Sequence, residues 1–182
     1  VSLLPADVVY LVFWSKNFEP FMDKLKEIKV KRYNCYFQFT INALPKIFES
    51  NVVETSIAIE TLKEISRMTS PAHINWRYDP VVITEFTDVN FHLKNFQSLA
   101  SKLEGYIERC YFSFVTQYEK VKRNFQEFEK TQGLTITDCS EDYKVELANE
   151  LAAIATRYKI RMFSCCGDYL VNDNIKKAHC IH

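Results

Sequence analysis

The sequence predicts an α/β fold in which a parallel sheet alternates with helices, and three observations support this. Short continuous apolar runs, typical of strands buried on both faces, alternate with stretches whose apolar residues recur at the helical period. The runs lie far enough apart for the right-handed crossovers that parallel neighbours require. Returns from helix to strand are terse, as at residues 69–72, whereas exits from strand to helix are longer and polar, at 15–19, 42–53 and 79–88.

The first apolar run covers residues 8–14, and Pro20 opens a helix carrying Phe21, Met22, Leu25 and Ile28 on one face. A second run at 33–41 precedes a helix with Ile57, Ile59, Leu62, Ile65 and Met68. The third, 74–78, leads through Pro80 and a Thr87 cap into Leu93, Phe96, Leu99, Ala100 and Leu103, stopped by Gly105. A fourth strand at 110–115 feeds a charged helix with Tyr118, Val121, Phe125 and Phe128 that ends near Gly133. Ser140 then caps a helix with Val145, Ala148, Leu151, Ala152, Ala155 and Tyr158, and a fifth strand covers 160–163. Five such strands suit either an incomplete barrel or a doubly wound sheet, and ligands sit at the strands' carboxyl ends in both.

A chain of 182 residues suits a single domain, and 47% hydrophobic residues suffice to fold it. Twenty-three basic side chains balance 23 acidic ones. That balance argues against nucleic acid or a membrane surface as partner, and leaves any anion binding local. The repeated KVKR at 29–32 and 120–123 reads as solvated helix faces. Six cysteines without a signal peptide imply a reduced, cytoplasmic protein. The longest apolar run is far short of the roughly 20 residues that span a bilayer.

Three glycines supply neither a Walker loop nor a dinucleotide fingerprint, and no HExxH or GxSxG occurs. What remains is polar residues at strand exits: Ser15, Lys16 and Asn17; Gln38, Thr40 and Asn42; Arg77, Tyr78 and Asp79; Ser113, Thr116 and Gln117. Arg77 offers a planar fork for carboxylate or phosphate and Lys16 a second positive charge. Asp79 can orient Arg77 or exchange a proton, so Asp79 and Lys16 are the candidate catalytic pair. Arg77, Ser15, Asn17, Gln38, Thr40 and Ser113 are the candidate ligand-binding set. A plainer reading stays open beside this one: Arg77 and Asp79, two apart on a strand, can simply pair with each other, and Asn17 can simply cap a helix. Trp14 and Trp76 read first as core. Cys165, Cys166, His179, Cys180 and His182 cluster near the end without a metal-ligand spacing, so no metal site is assigned. His73 and His92 stand alone, as structural or exposed residues.

Taken together, VVYLVFWSKNFEPF from residue 8 onward, YNCYFQFTIN at 33–42, INWRYDPVVIT at 74–84, YFSFVTQYEKVKRN at 111–124 and KAHCIH at 177–182 resemble the uncharacterised bacterial domain of unknown function 1848 family. The resemblance runs along nearly the whole chain and implies a TIM-like or partial barrel. It also carries the rim residues over as motif positions without established roles. Longer family members add an initial strand of the type ISASRRTDIP and a closing CxxxCxYC similar to the cluster loop of radical S-adenosylmethionine enzymes. Both are expected to fall outside this sequence, so an iron–sulfur cluster and S-adenosylmethionine are implied only where that segment is present. The expected function is a barrel domain of a radical-SAM-like enzyme holding a small anionic ligand. The alternatives are a non-catalytic ligand- or partner-binding module, or a metal-dependent hydrolase or isomerase using Asp79 with the terminal histidines.

Overall fold

A computed structural model describes residues 2, 4–116 and 118–179. Six strands form one sheet: β1 (Leu11–Ser15), β2 (Cys35–Thr40), β3 (Ile74–Val81), β4 (Arg109–Phe114), β5 (Arg161–Ser164) and β6 (Ile175–Lys177). The helices are α1 (Met22–Val30), α2 (Thr55–Met68), α3 (Val89–Leu103), α4 (Glu119–Gln132) and α5 (Glu141–Arg157). Every strand pair is parallel, and the spatial order is the chain order, β1 to β6. Among the described residues that order never reverses, so they show no switch point of a doubly wound sheet. The strands follow the succession of a β/α barrel, and β6 does not pair back to β1 among the described residues.

Parallel register puts paired residues on one face, and the two faces differ in chemistry. Phe37, Phe39, Ile74, Trp76, Tyr78, Cys110, Phe112, Met162 and Ile175 share one continuous core with Leu25 of α1, Leu62 and Ile65 of α2, Phe96 and Leu99 of α3, and Leu147 and Leu151 of α5. Full burial of such side chains stabilises by about 1.5–3 kcal/mol each. The opposite face carries the alternate residues: Tyr36, Gln38 and Thr40; Asn75, Arg77 and Asp79; Arg109, Tyr111 and Ser113. Across it, Gln38 aligns with Asn75 and Arg109, and Thr40 with Arg77 and Tyr111.

Three expectations need correction. A sixth strand exists: β6 is three residues long with two exposed lysines, and so shows no apolar run. Asp88, not Thr87, caps α3 by accepting from the Phe91 amide at 2.8 Å, because the Thr87 hydroxyl is buried and donates to the Val82 carbonyl at 2.7 Å. Finally, β3 continues past Tyr78 to Val81, with its register on β4 shifting between those two residues. Other ends moved by one to three residues. Ser140 caps α5 as expected, accepting from the Tyr143 amide at 3.3 Å.

Candidate functional site

The alternation of β3 sends Arg77 and Asp79 to the face away from the helices, where they form an ion pair. Ser113, next along on β4, donates its hydroxyl to the other Asp79 carboxylate oxygen. The pair that the plain reading foresaw therefore exists, but it sits within a larger cluster at the carboxyl edge. The side chains of Arg77 and Asp79 are only 16% and 19% exposed, so the cluster is mostly covered and keeps a small part of its surface in contact with solvent. Cys165, just beyond β5, meets the Arg77 guanidinium. Burial opposes the Arg77 charge, yet Cys165 and Asp79 together hold its pKa above the usual value. Burial also pushes the Cys165 thiol up to about 11, with Arg77 drawing it back and Asp79 adding to the rise. Cys165 is thus a neutral thiol near pH 7, poorly suited to attack as a nucleophile.

A buried chain of hydrogen bonds holds this cluster from behind. Asn42, after β2, accepts from the Asp79 amide at 2.7 Å and donates to the Asp79 carbonyl at 3.0 Å. Asn95 on α3 donates to the Asn42 carbonyl at 2.7 Å and to the Tyr78 hydroxyl at 3.1 Å. His92, fully buried, lies 2.9 Å through Nε2 from the Val82 carbonyl and 2.8 Å through Nδ1 from the Tyr78 hydroxyl. A carbonyl only accepts, so Nε2 carries the proton and Tyr78 donates to Nδ1. Burial lowers the His92 pKa and raises that of Tyr78, which keeps both neutral. Asn42 was visible in the sequence only as one polar exit residue, and Asn95 gave no signal, because its partner lies 53 positions away.

The remaining predicted residues fall into two groups. Gln38 is fully buried on the same face as Arg77, one row further from the carboxyl edge. Thr40 is aligned with Arg77 itself. Lys16 instead pairs with Glu49 across the β2 exit, beside Thr40 and Asn42, where the space is only about 30 Å³, room for little more than water. Ser15 and Asn17 are engaged locally: the Ser15 hydroxyl donates to the Asn17 carbonyl at 2.8 Å and accepts from the Asn17 amide at 2.9 Å. The Asn17 side chain accepts from the Glu19 amide at 2.9 Å. Trp76 is core, donating to the Ile41 carbonyl at 2.9 Å, while Trp14 is half-exposed on β1. Gln117, Cys180 and His182 lie outside the described residues. Among the described residues, no three His, Cys, Asp or Glu side chains converge as a metal site, and no helix is long and apolar enough to cross a membrane.

Beside the cluster, at the exits of β4 and β5, opens a cleft of about 420 Å³ whose walls include Thr116, Lys122, Asp138, Lys144, Gly167 and Tyr169. It starts one residue beyond Ser113 and Cys165. The family model described as Domain of unknown function (DUF1848) matches residues 1–182. No curated protein matches the chain, and no solved structure does.

Proposed function

We propose, from the premise that the chain belongs to the DUF1848 family over its full length, that this domain binds a small anionic molecule at the carboxyl ends of its strands. The observation that carries the reading is the Arg77 guanidinium, largely buried yet still partly exposed and fixed by Asp79, which Ser113 and Asn42 hold in turn. A guanidinium has five N–H donors, so pairing with Asp79 leaves several for a ligand carboxylate or phosphate. Asp79 then orients Arg77 and can exchange a proton with the ligand. Ser113 stands on the same face, with the fully buried Gln38 one row behind Arg77, while the Lys16 charge is taken up by Glu49 at the β2 exit.

Longer family members carry a closing cysteine segment similar to the cluster loop of radical S-adenosylmethionine enzymes, and where that segment is present radical chemistry on that ligand is the expected reaction class. The thiols described here do not themselves fit an iron–sulfur cluster. Cys35 and Cys110 are buried among the helices, Cys139 precedes α5, and only Cys165 and Cys166 adjoin. No step is therefore assigned through a cluster.

Isothermal titration with citrate and succinate tests the site. Arg77→Ala is expected to weaken binding by about tenfold or more, the loss of one charge-assisted contact, and Arg77→Lys, lacking the fork, to restore it only in part. Unchanged affinity in a folded Arg77→Ala protein would end the reading. Metal analysis of protein purified without oxygen separates the chemistries: iron with a brown colour supports the radical class, and stoichiometric zinc supports a hydrolase.

A further inference from the structure

The face that carries Arg77 holds a second guanidinium nearer the amino ends of the strands, and no carboxylate of the described residues pairs with it. Arg109, the first residue of β4, is partly buried and donates to the Tyr36 hydroxyl at 3.0 Å. Tyr36 in turn donates to Asn75 Oδ1 at 2.9 Å. The carboxylates nearby are spoken for: Asp79 is taken up by Arg77, and Glu108 lies 3.1 Å from Arg161, the residue aligned with Arg109 on β5. A partly buried cation whose one bound acceptor is a neutral hydroxyl is left uncompensated.

Beside it lie donors with nothing to bind. Asn75 and Tyr111 are fully buried, and neither the Asn75 side-chain N–H groups nor the Tyr111 hydroxyl meets a partner in hydrogen-bond geometry. Burial, with Tyr36 adding to it, pushes the Tyr111 hydroxyl up to about 12 while Arg109 and Asn75 draw it back. The phenol therefore keeps its proton, and the four side chains lie within electrostatic reach of one another. Even with the Asn75 amide turned onto the Tyr111 oxygen and onto that of Gln38, its aligned neighbour on β2, the phenol proton and the spare Arg109 N–H groups would stay unspent. Buried donors without acceptors are rare and costly. A guest that only accepts hydrogen bonds and brings one negative charge meets both needs. A carboxylate does so through a planar fork, whereas a phosphate group near neutral pH carries close to two charges, and Arg109 balances only one.

We propose that Arg109, Tyr36, Asn75 and Tyr111 form a second anion site, one that takes the carboxylate of a small monocarboxylic acid and does not rest on the Arg77 reading. Arg109 and Tyr36, both partly exposed, make its outer side, and Asn75 and Tyr111 make its floor. A carboxylate entering between them accepts from Arg109 and, at its inner side, from Asn75 and Tyr111. Because that floor is fully buried, the acid is of about the size of acetate.

The test is an NMR titration of the full chain with acetate, inorganic phosphate and chloride, read at the Asn75 side-chain amide and the Arg109 side-chain N–H signals. Acetate is expected to shift them saturably, with a Kd of about a millimolar for so small a ligand. Phosphate, which tests charge, and chloride, which tests the fork, should each bind about fivefold or more weakly. Arg109→Gln is expected to cost acetate about tenfold in affinity, the scale of one lost charged contact, and Tyr111→Phe about fivefold. Arg109→Lys, which keeps the charge without the fork, should fall between wild type and Arg109→Gln. Arg77→Ala should leave the acetate response unchanged, and Arg109→Gln the citrate response, so each site can fail without the other. Shifts that do not saturate, phosphate or chloride binding as well as acetate, or folded Arg109→Gln and Tyr111→Phe proteins with wild-type affinity would overturn the proposal. A long-lived water on the Asn75 amide that acetate does not displace would overturn it too.

Discussion

Replacing Asn42 with alanine removes the clamp behind the Arg77 cluster, and the size of its effect follows from the geometry. Two hydrogen bonds vanish, at 2.7 Å from the Asp79 amide and at 3.0 Å to the Asp79 carbonyl. Asn42 is 3% exposed, so water does not readily replace its side chain. At about 1 kcal/mol net per bond and about 1 more for a buried amide left without a partner, the expected loss is about 3 kcal/mol. For a chain of this size that lowers the melting temperature by about 6–12 °C. Urea unfolding followed by circular dichroism measures it, with an unchanged slope confirming that only stability has moved. Asn42→Asp separates the two bonds: it keeps the acceptor for the Asp79 amide but sets a second acceptor against the Asp79 carbonyl. That variant should be unstable at neutral pH and recover partly in acid, where protonation restores a donor. An Asn42→Ala protein within about 0.5 kcal/mol of the parent, the range of an ordinary surface substitution, would refute the clamp.

Further outcomes follow from other parts of the molecule. The unfolded chain takes up a proton at His92 near the ordinary value of about 6.5, whereas burial keeps the folded imidazole neutral to lower pH. Stability should therefore be fully present above that pH and decline as pH falls below it, and His92→Gln should flatten the slope in denaturant midpoints measured between about pH 6.5 and 5. With its thiol pushed up to about 11 by burial, Cys165 should react with iodoacetamide far more slowly at pH 8 than the exposed Cys166, as peptide mass mapping would show. Gly133 ends α4 at φ 66° with open space around it, so Gly133→Ala should cost about 1 kcal/mol in thermal or urea unfolding through backbone strain alone.

The fold was legible where burial imposes a period. Five strands and five helices follow from apolar runs and helical stripes, because the sheet's core has to be apolar whatever the ligand. Three-residue β6, with lysines at two positions, follows from pairing with β5 and leaves no compositional trace. The Arg77 and Asp79 pair was legible because residues two apart on a strand share a face. The Lys16 and Glu49 ion pair was not, since 33 positions separate its partners and only the folded β2 exit joins them. Cys165 stood in the sequence among five cysteines and histidines without a metal-ligand spacing, and its actual neighbour, Arg77, became visible only once β3 and β5 flanked β4.

No strand in this sheet skips over its neighbour in the chain. As the polypeptide leaves the ribosome, each new strand therefore finds its partner already made, and assembly can track synthesis with no gap held open for a late arrival. At the carboxyl edge the loops are tied down at particular points, Asn42 to Asp79 and Thr84 to Ile136, so the stretches between those ties can be rewritten to suit a new ligand while the strands beneath keep their register.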